Sequence, residues 1–218
     1  NIYLIFKRIF QSCVFVAIIG LLAYLDCLQF PNFILKTSNY VRLQSVFQYA
    51  NVTAIFMIIG FFLSLYYFHT NIKFSIKLKY IIYTTIFNIC LILTFSRSAI
   101  VIFIVFVFAW LIYNKSLKTF FMVLSATVFS TITSIFINKF VLNEQYAIAT
   151  LLIVLMCILT ALILYMIEYF DKYKSFSYND RASWKYLYFL VPLLLLGIIG
   201  ICINYEILKT RLLKISIY

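Results

Sequence analysis

The chain has 218 residues, 66% of them hydrophobic, a mean hydropathy of +1.07 and only 11% charged residues, a balance that excludes an ordinary water-soluble domain and marks an integral membrane protein. Apolar runs of about 20 residues recur along its length. They lack the alternation over about 10 residues that an outer-membrane barrel needs, so the expected class is all-α, a polytopic helical membrane protein. The net charge of +12 is spread between apolar runs and forms no single basic face, which reads as loop charge and implies no nucleic-acid partner.

In chain order, Lys7-Arg8 ahead of the apolar run from Ile9 resembles a signal peptide, but no small-residue cleavage site follows and further spans come after. A retained first span, Ile9 to Leu28, is the better reading. Further spans are expected at Asn51 to Phe68, Tyr80 to Phe95, Ala99 to Tyr113, Thr119 to Ile137, Tyr146 to Ile167 and Tyr186 to Tyr205, about seven in all. The third and fourth are separated only by Ser96-Arg97-Ser98. A single straight helix from Tyr80 to Tyr113 would be about 50 Å long against a hydrocarbon core of about 30 Å, so the chain must fold back at this arginine. Residues 1–205 are thus expected to form a transmembrane bundle and 206–218 to open an extracytoplasmic loop. The start at Asn1 and the end within a mixed stretch at Tyr218 suggest a fragment of a larger membrane protein.

Orientation follows from the basic residues. With the amino end inside, Lys7, Arg8, Lys73, Lys77, Lys79, Lys115, Lys118, Lys172, Lys174, Arg181 and Lys185 lie on the inner side, eleven of the 18 Lys and Arg. The outer side holds the other seven, among them Lys36, Arg42, Arg97 and Lys139. The positive-inside rule therefore predicts a cytoplasmic amino end, which puts Arg42 and Arg97 on one outer face. Two guanidinium forks near a membrane surface suit a phosphate or pyrophosphate.

Arg97 is flanked by spans of about 15 residues, roughly 23 Å, which would sink its turn below the surface. An ionisable group there is a functional candidate, against the plainer reading of an anchor to lipid headgroups. If Tyr40 to Asn51 is helical, Gln44, Gln48 and Asn51 line one polar face and could bind sugar hydroxyls or a phosphate. An interfacial turn with Asn51 as a cap or interhelical bond is equally open. Thr84, Thr85 and Asn88 in the third span, and Ser125, Thr127, Ser130, Thr131, Thr133 and Ser134 in the fifth, read as helix–helix hydrogen bonding. The five cysteines, lacking ligand spacing, read as free packing thiols. No metal cluster, phosphate-cradling Gly loop or acid/base carboxylate pair is evident.

At these two outer segments the chain resembles the O-antigen ligase and polymerase family. Its pattern of an arginine, a short gap and Phe-x-x-Asn entering a span is matched by Arg42, Phe47 and Asn51, and Thr-x-Ser-Arg followed by a small residue is matched by Thr94-Phe95-Ser96-Arg97-Ser98-Ala99. The resemblance covers roughly Tyr40 to Tyr113. It implies a membrane glycosyltransferase of the bacterial cytoplasmic membrane that moves a glycan from an undecaprenyl-pyrophosphate carrier to an acceptor glycan or lipid at the outer face. Arg42 and Arg97 would stabilise the pyrophosphate leaving group, Gln44, Gln48, Asn51, Ser96 and Ser98 would bind substrate, and no metal or cofactor would be needed. The family's external arginines and histidines are not matched: His69, the sole histidine, falls on the inner side. Asn204 to Leu212 looks like the start of the family's large external loop, so this stretch alone would be inactive. A transporter or flippase of lipid-linked saccharides and a structural membrane subunit are the competing readings.

Overall fold

The structure, a computed structural model, describes residues 2–71, 73–114 and 117–173. The expected span at Tyr186–Tyr205, the loop at 206–218 and the inner charges Lys115, Lys174, Arg181 and Lys185 lie outside the described residues. Among the described residues there are six helices: α1 (Ile2–Tyr24), α2 (Ala50–Thr70), α3 (Phe74–Leu93), α4 (Arg97–Asn114), α5 (Leu117–Leu142) and α6 (Tyr146–Tyr173). All but α4 include a stretch long and apolar enough to cross a membrane, and α4 is a shorter apolar helix. The chain is a polytopic helical membrane protein, with five helices among the described residues long and apolar enough to cross a membrane, while the expected span Ala99 to Tyr113 falls on the shorter α4.

Two boundaries correct the sequence reading. Helix α1 takes in Lys7 and Arg8, and α3 begins at Phe74, so Lys77 and Lys79 ride on its first turns. Long basic side chains extend from helix ends toward water while their stems stay on the apolar surface, so a charge does not end a membrane helix. With 20 residues in α3 and 18 in α4, these helices are about 30 and 27 Å long. Both are longer than the spans of about 15 residues from which a sunken Arg97 was expected.

The fold is also not purely helical. Between α1 and α2 the chain forms an antiparallel hairpin, β1 (Ile34–Lys36) with β2 (Val41–Leu43), in the register Ile34 to Leu43, Leu35 to Arg42 and Lys36 to Val41. A 3₁₀ turn at Ser45–Phe47 follows.

The chain divides into two compact units, residues 1–103 with 116–174 and residues 104–115 with 175–218. Of the second, the described residues are the continuation of α4. In the first unit α3 is the central helix, packed against α1, α2, α5 and α6. Its polar residues each meet a neighbour: the hydroxyls of Thr84 and Ser64 on α2 are 2.7 Å apart, Thr85 donates to Thr160 on α6 at 3.1 Å, and the Asn88 amide donates to Ser130 on α5. These are the helix–helix hydrogen bonds expected of the third span, worth about 0.6 kcal/mol each by the membrane average; in the fifth, Ser130 makes one, whereas the hydroxyls of Thr127, Thr131, Thr133 and Ser134 donate to carbonyls of α5 itself. Cys13, Cys27, Cys90 and Cys157 are free thiols.

Candidate functional site

The site is built on β2. Val41, Leu43 and Ser45 are at most 1% exposed, whereas Arg42 and Gln44 between them are half-buried, the alternation of a strand with one face against the bundle. Three anchors fix that face. The Tyr24 hydroxyl donates to the Val41 carbonyl at 3.1 Å, the Asn138 amide on α5 donates to both that carbonyl and the Tyr24 oxygen at 2.6 Å, and Ser45 Oγ donates to the Val16 carbonyl at 2.9 Å. Gly20 makes the last approach possible, because a Cβ there would lie 2.7 Å from Ser45 Oγ.

With its inner face clamped, β2 presents Arg42 to the turn between α3 and α4. Arg42 Nε donates to the Thr94 carbonyl at 2.7 Å, and Nη2 donates to Asn51 Oδ1 in the first turn of α2 at 3.3 Å. Thr94 is the C-cap of α3, so its carbonyl is one of the orphan acceptors that a helix leaves at its negative end, and a guanidinium there is doubly favourable. The Tyr40 and Phe95 rings pack alongside, with centroids 5.3 Å apart. The two motifs, 52 residues apart at Arg42 and Thr94, are thus in direct contact at one end of the bundle.

The turn is compact. Phe95 adopts a left-handed conformation, φ 50°, and Ser96 follows it immediately before α4. Its Oγ accepts from the Ala99 amide at 3.4 Å and its carbonyl from the Ile100 amide at 3.0 Å, the work of an N-cap. Ser96 is 1% exposed, so its hydroxyl serves the helix. Ser98 is exposed, with its hydroxyl 3.5 Å from that of Ser96. Arg97 is the first residue of α4 and is exposed, with no hydrogen-bond or ion-pair partner among the described residues.

The amide face expected for Gln44, Gln48 and Asn51 does not form, because this segment is a strand and a 3₁₀ turn. Gln48 sits in a left-handed conformation, φ 52°, between that turn and α2. Gln44 receives the Thr53 hydroxyl on its backbone carbonyl, Gln48 is exposed, and Asn51 alone of the three reaches Arg42. Asn51 is neither cap nor interhelical bridge: Tyr49 precedes α2 as its N-cap.

The electrostatic character of this end is positive. Arg42 donates only to neutral acceptors, and neither it nor Arg97 pairs with a carboxylate among the described residues. The positive end of the α4 dipole adds to the same field. Lys36 on β1 donates to the Tyr146 hydroxyl at 3.3 Å. That bond raises the Lys36 pKa, and the more distant charges of Asp26 and Glu144 add to it against a lowering by desolvation. Asp26 and Glu144 were not singled out by the sequence, where Asp26 falls inside the expected first span and Glu144 is an isolated acid between two spans. Among the described residues no three His, Cys, Asp or Glu side chains group as a metal site.

The chain matches no family model, no curated protein and no solved structure.

Proposed function

We propose that this end of the bundle binds the pyrophosphate of a lipid-linked glycan and transfers the glycan to an acceptor hydroxyl of a glycan or lipid. The carrier would be an undecaprenyl pyrophosphate, at the outer face of a bacterial cytoplasmic membrane. The observation that carries the reading is Arg42: a half-buried guanidinium held in one orientation by a carbonyl and an amide, with its charge uncompensated. Burying a charge without a counter-ion is costly, and an anionic ligand removes that cost. Arg97, three residues beyond the carbonyl that holds Arg42, supplies a second guanidinium free to move onto the ligand.

In the transfer, the acceptor oxygen forms a bond to the anomeric carbon as the bond from that carbon to the pyrophosphate oxygen breaks. The electron pair leaves on pyrophosphate, and the arginines stabilise the charge that develops there. The acceptor proton passes to water or to a carboxylate, and Asp26 and Glu144 are the carboxylates of this end among the described residues. Asn51 positions Arg42, while Ser98 and Gln48 are exposed and available to substrate.

The test is glycan transfer in cells lacking the native protein, complemented with Arg42→Lys or Arg97→Lys at equal membrane abundance. A lysine retains charge but lacks the planar fork, so both variants are expected to lose at least tenfold in transfer and to accumulate carrier-linked glycan. Unchanged transfer with Arg97→Lys, together with an Arg42→Lys defect confined to protein abundance, would favour the structural reading. In that case Arg42 is a cap for α3 and nothing more.

A further inference from the structure

At the opposite end of the bundle, where α1 and α3 begin and α2 ends, lies a groove of about 250 Å³. Its polar lining is Lys7, Gln11 and Lys79 with the tyrosines 3, 67, 80 and 83, and none of its lining residues is acidic. We infer that this groove is a binding site for the headgroup of an anionic phospholipid, distinct from the Arg42 end and independent of the function proposed for it.

Three observations converge. First, two ammonium groups from different helices face one groove without a carboxylate between them, and Lys79 Nζ lies 5.7 Å from the Tyr83 ring centroid. Second, the floor is aromatic and its rings pack on one another. Phe10 packs edge-on against Tyr67, Tyr80 and Tyr83 at 5.4 to 5.6 Å, and Tyr67 stacks on Tyr80 at 5.2 Å. Third, Tyr67 is 3% exposed and its hydroxyl has no hydrogen-bond partner among the described residues. A buried donor left unmade is costly, and a phosphodiester oxygen entering the groove supplies its acceptor. A lipid fits better than a soluble anion because the groove stands at the ends of membrane-crossing helices and has tyrosine walls, the chemistry of the headgroup layer. Its volume suits a headgroup, with the acyl chains remaining in the bilayer.

The test uses the whole chain in phosphatidylcholine nanodiscs, with retention of added phosphatidylglycerol read by native mass spectrometry. Phosphatidylglycerol is expected to be retained in preference to phosphatidylcholine, and inorganic phosphate is expected not to displace it. Lys7→Gln with Lys79→Gln should weaken retention roughly 30-fold, from the effect of two lysines near an anionic headgroup. Tyr67→Phe keeps the ring stack and removes the unpaired donor, so it should weaken retention about fivefold while leaving the melting temperature unchanged or higher. It carries the test if the lysine variant does not fold. Equal retention of the two lipids, displacement by inorganic phosphate, or undiminished retention by Tyr67→Phe would each overturn the assignment.

Discussion

Gly20→Ala tests whether the α1 contact positions the arginine strand. The added Cβ would stand 2.7 Å from Ser45 Oγ, 3.0 Å from Ser45 Cβ and 3.4 Å from Leu43 Cδ1. The first two separations are too short, so Ser45 must move away from α1. Overpacking of this kind costs about 1–3 kcal/mol, and movement of Ser45 also breaks its hydrogen bond to Val16, about 1 kcal/mol more. The total, about 2–4 kcal/mol, falls on the residues that follow Arg42 in the chain. Ser45→Gly offers a rescue, since it removes both offending atoms at a residue whose φ is 53°, a conformation glycine adopts freely. Alone, that change trades the Val16 bond against relief of the left-handed backbone and should be within about 1 kcal/mol of neutral. The assay is reversible denaturation of the purified protein in mixed micelles for the wild type, both single variants and the double variant. The coupling between the two sites should favour the double variant by at least about 1 kcal/mol. A Gly20→Ala loss below about 0.5 kcal/mol, or strictly additive effects, would refute the reasoning and leave Gly20 as an incidental small residue.

Asn138→Leu removes both bonds that α5 makes to Tyr24 and Val41, and should destabilise the protein by about 2–3 kcal/mol while increasing proteolytic cleavage between residues 25 and 49. Ser96→Ala should cost about 1 kcal/mol as a lost N-cap and reduce the proposed glycan transfer only in proportion to folded protein; a larger loss of transfer would show that its hydroxyl serves the substrate. Because the folded-state pKa of Lys36 is raised above its ordinary 10.5, its bond to Tyr146 contributes stability that is fully present below about that pH and is lost as pH rises through the folded value. A Lys36→Met variant should therefore differ from the wild type at pH 7 to 9 and converge with it under strongly alkaline conditions, as followed by melting temperature.

The membrane helices were legible in the sequence because apolar runs need no partner to be recognised. Their ends were not, because Lys7, Lys77 and Lys79 look like loop charges until the helix is seen to carry them outward. The hairpin was harder to read. Its strands have three residues each, below the usual 5–6, and their stability comes from Tyr24, Asn138 and Ser45, far away in the chain or unremarkable within it. The alternation Val41, Leu43, Ser45 around Arg42 and Gln44 was the available signal. It was outweighed by helical spacing of Gln44, Gln48 and Asn51, which pattern alone cannot distinguish from a strand and turn. Arg42, Asn51 and the Thr94 turn came together as the paired motifs suggested, whereas the role of Ser96 as a buried cap depends on where α4 begins, a boundary that spacing does not fix.

The clamp on Val41 also sets a timetable for synthesis. The carbonyl of Val41 leaves the ribosome 97 residues before Asn138, the residue that holds it. At about 5–20 residues per second, the strand carrying Arg42 waits roughly 5–20 s for α5. During that interval the membrane already holds α1, and then α2 and α3, with their connecting hairpin unlatched. An insertase or chaperone that shields residues 25–49 would act in that window, and a pause in translation before residue 138 would lengthen it.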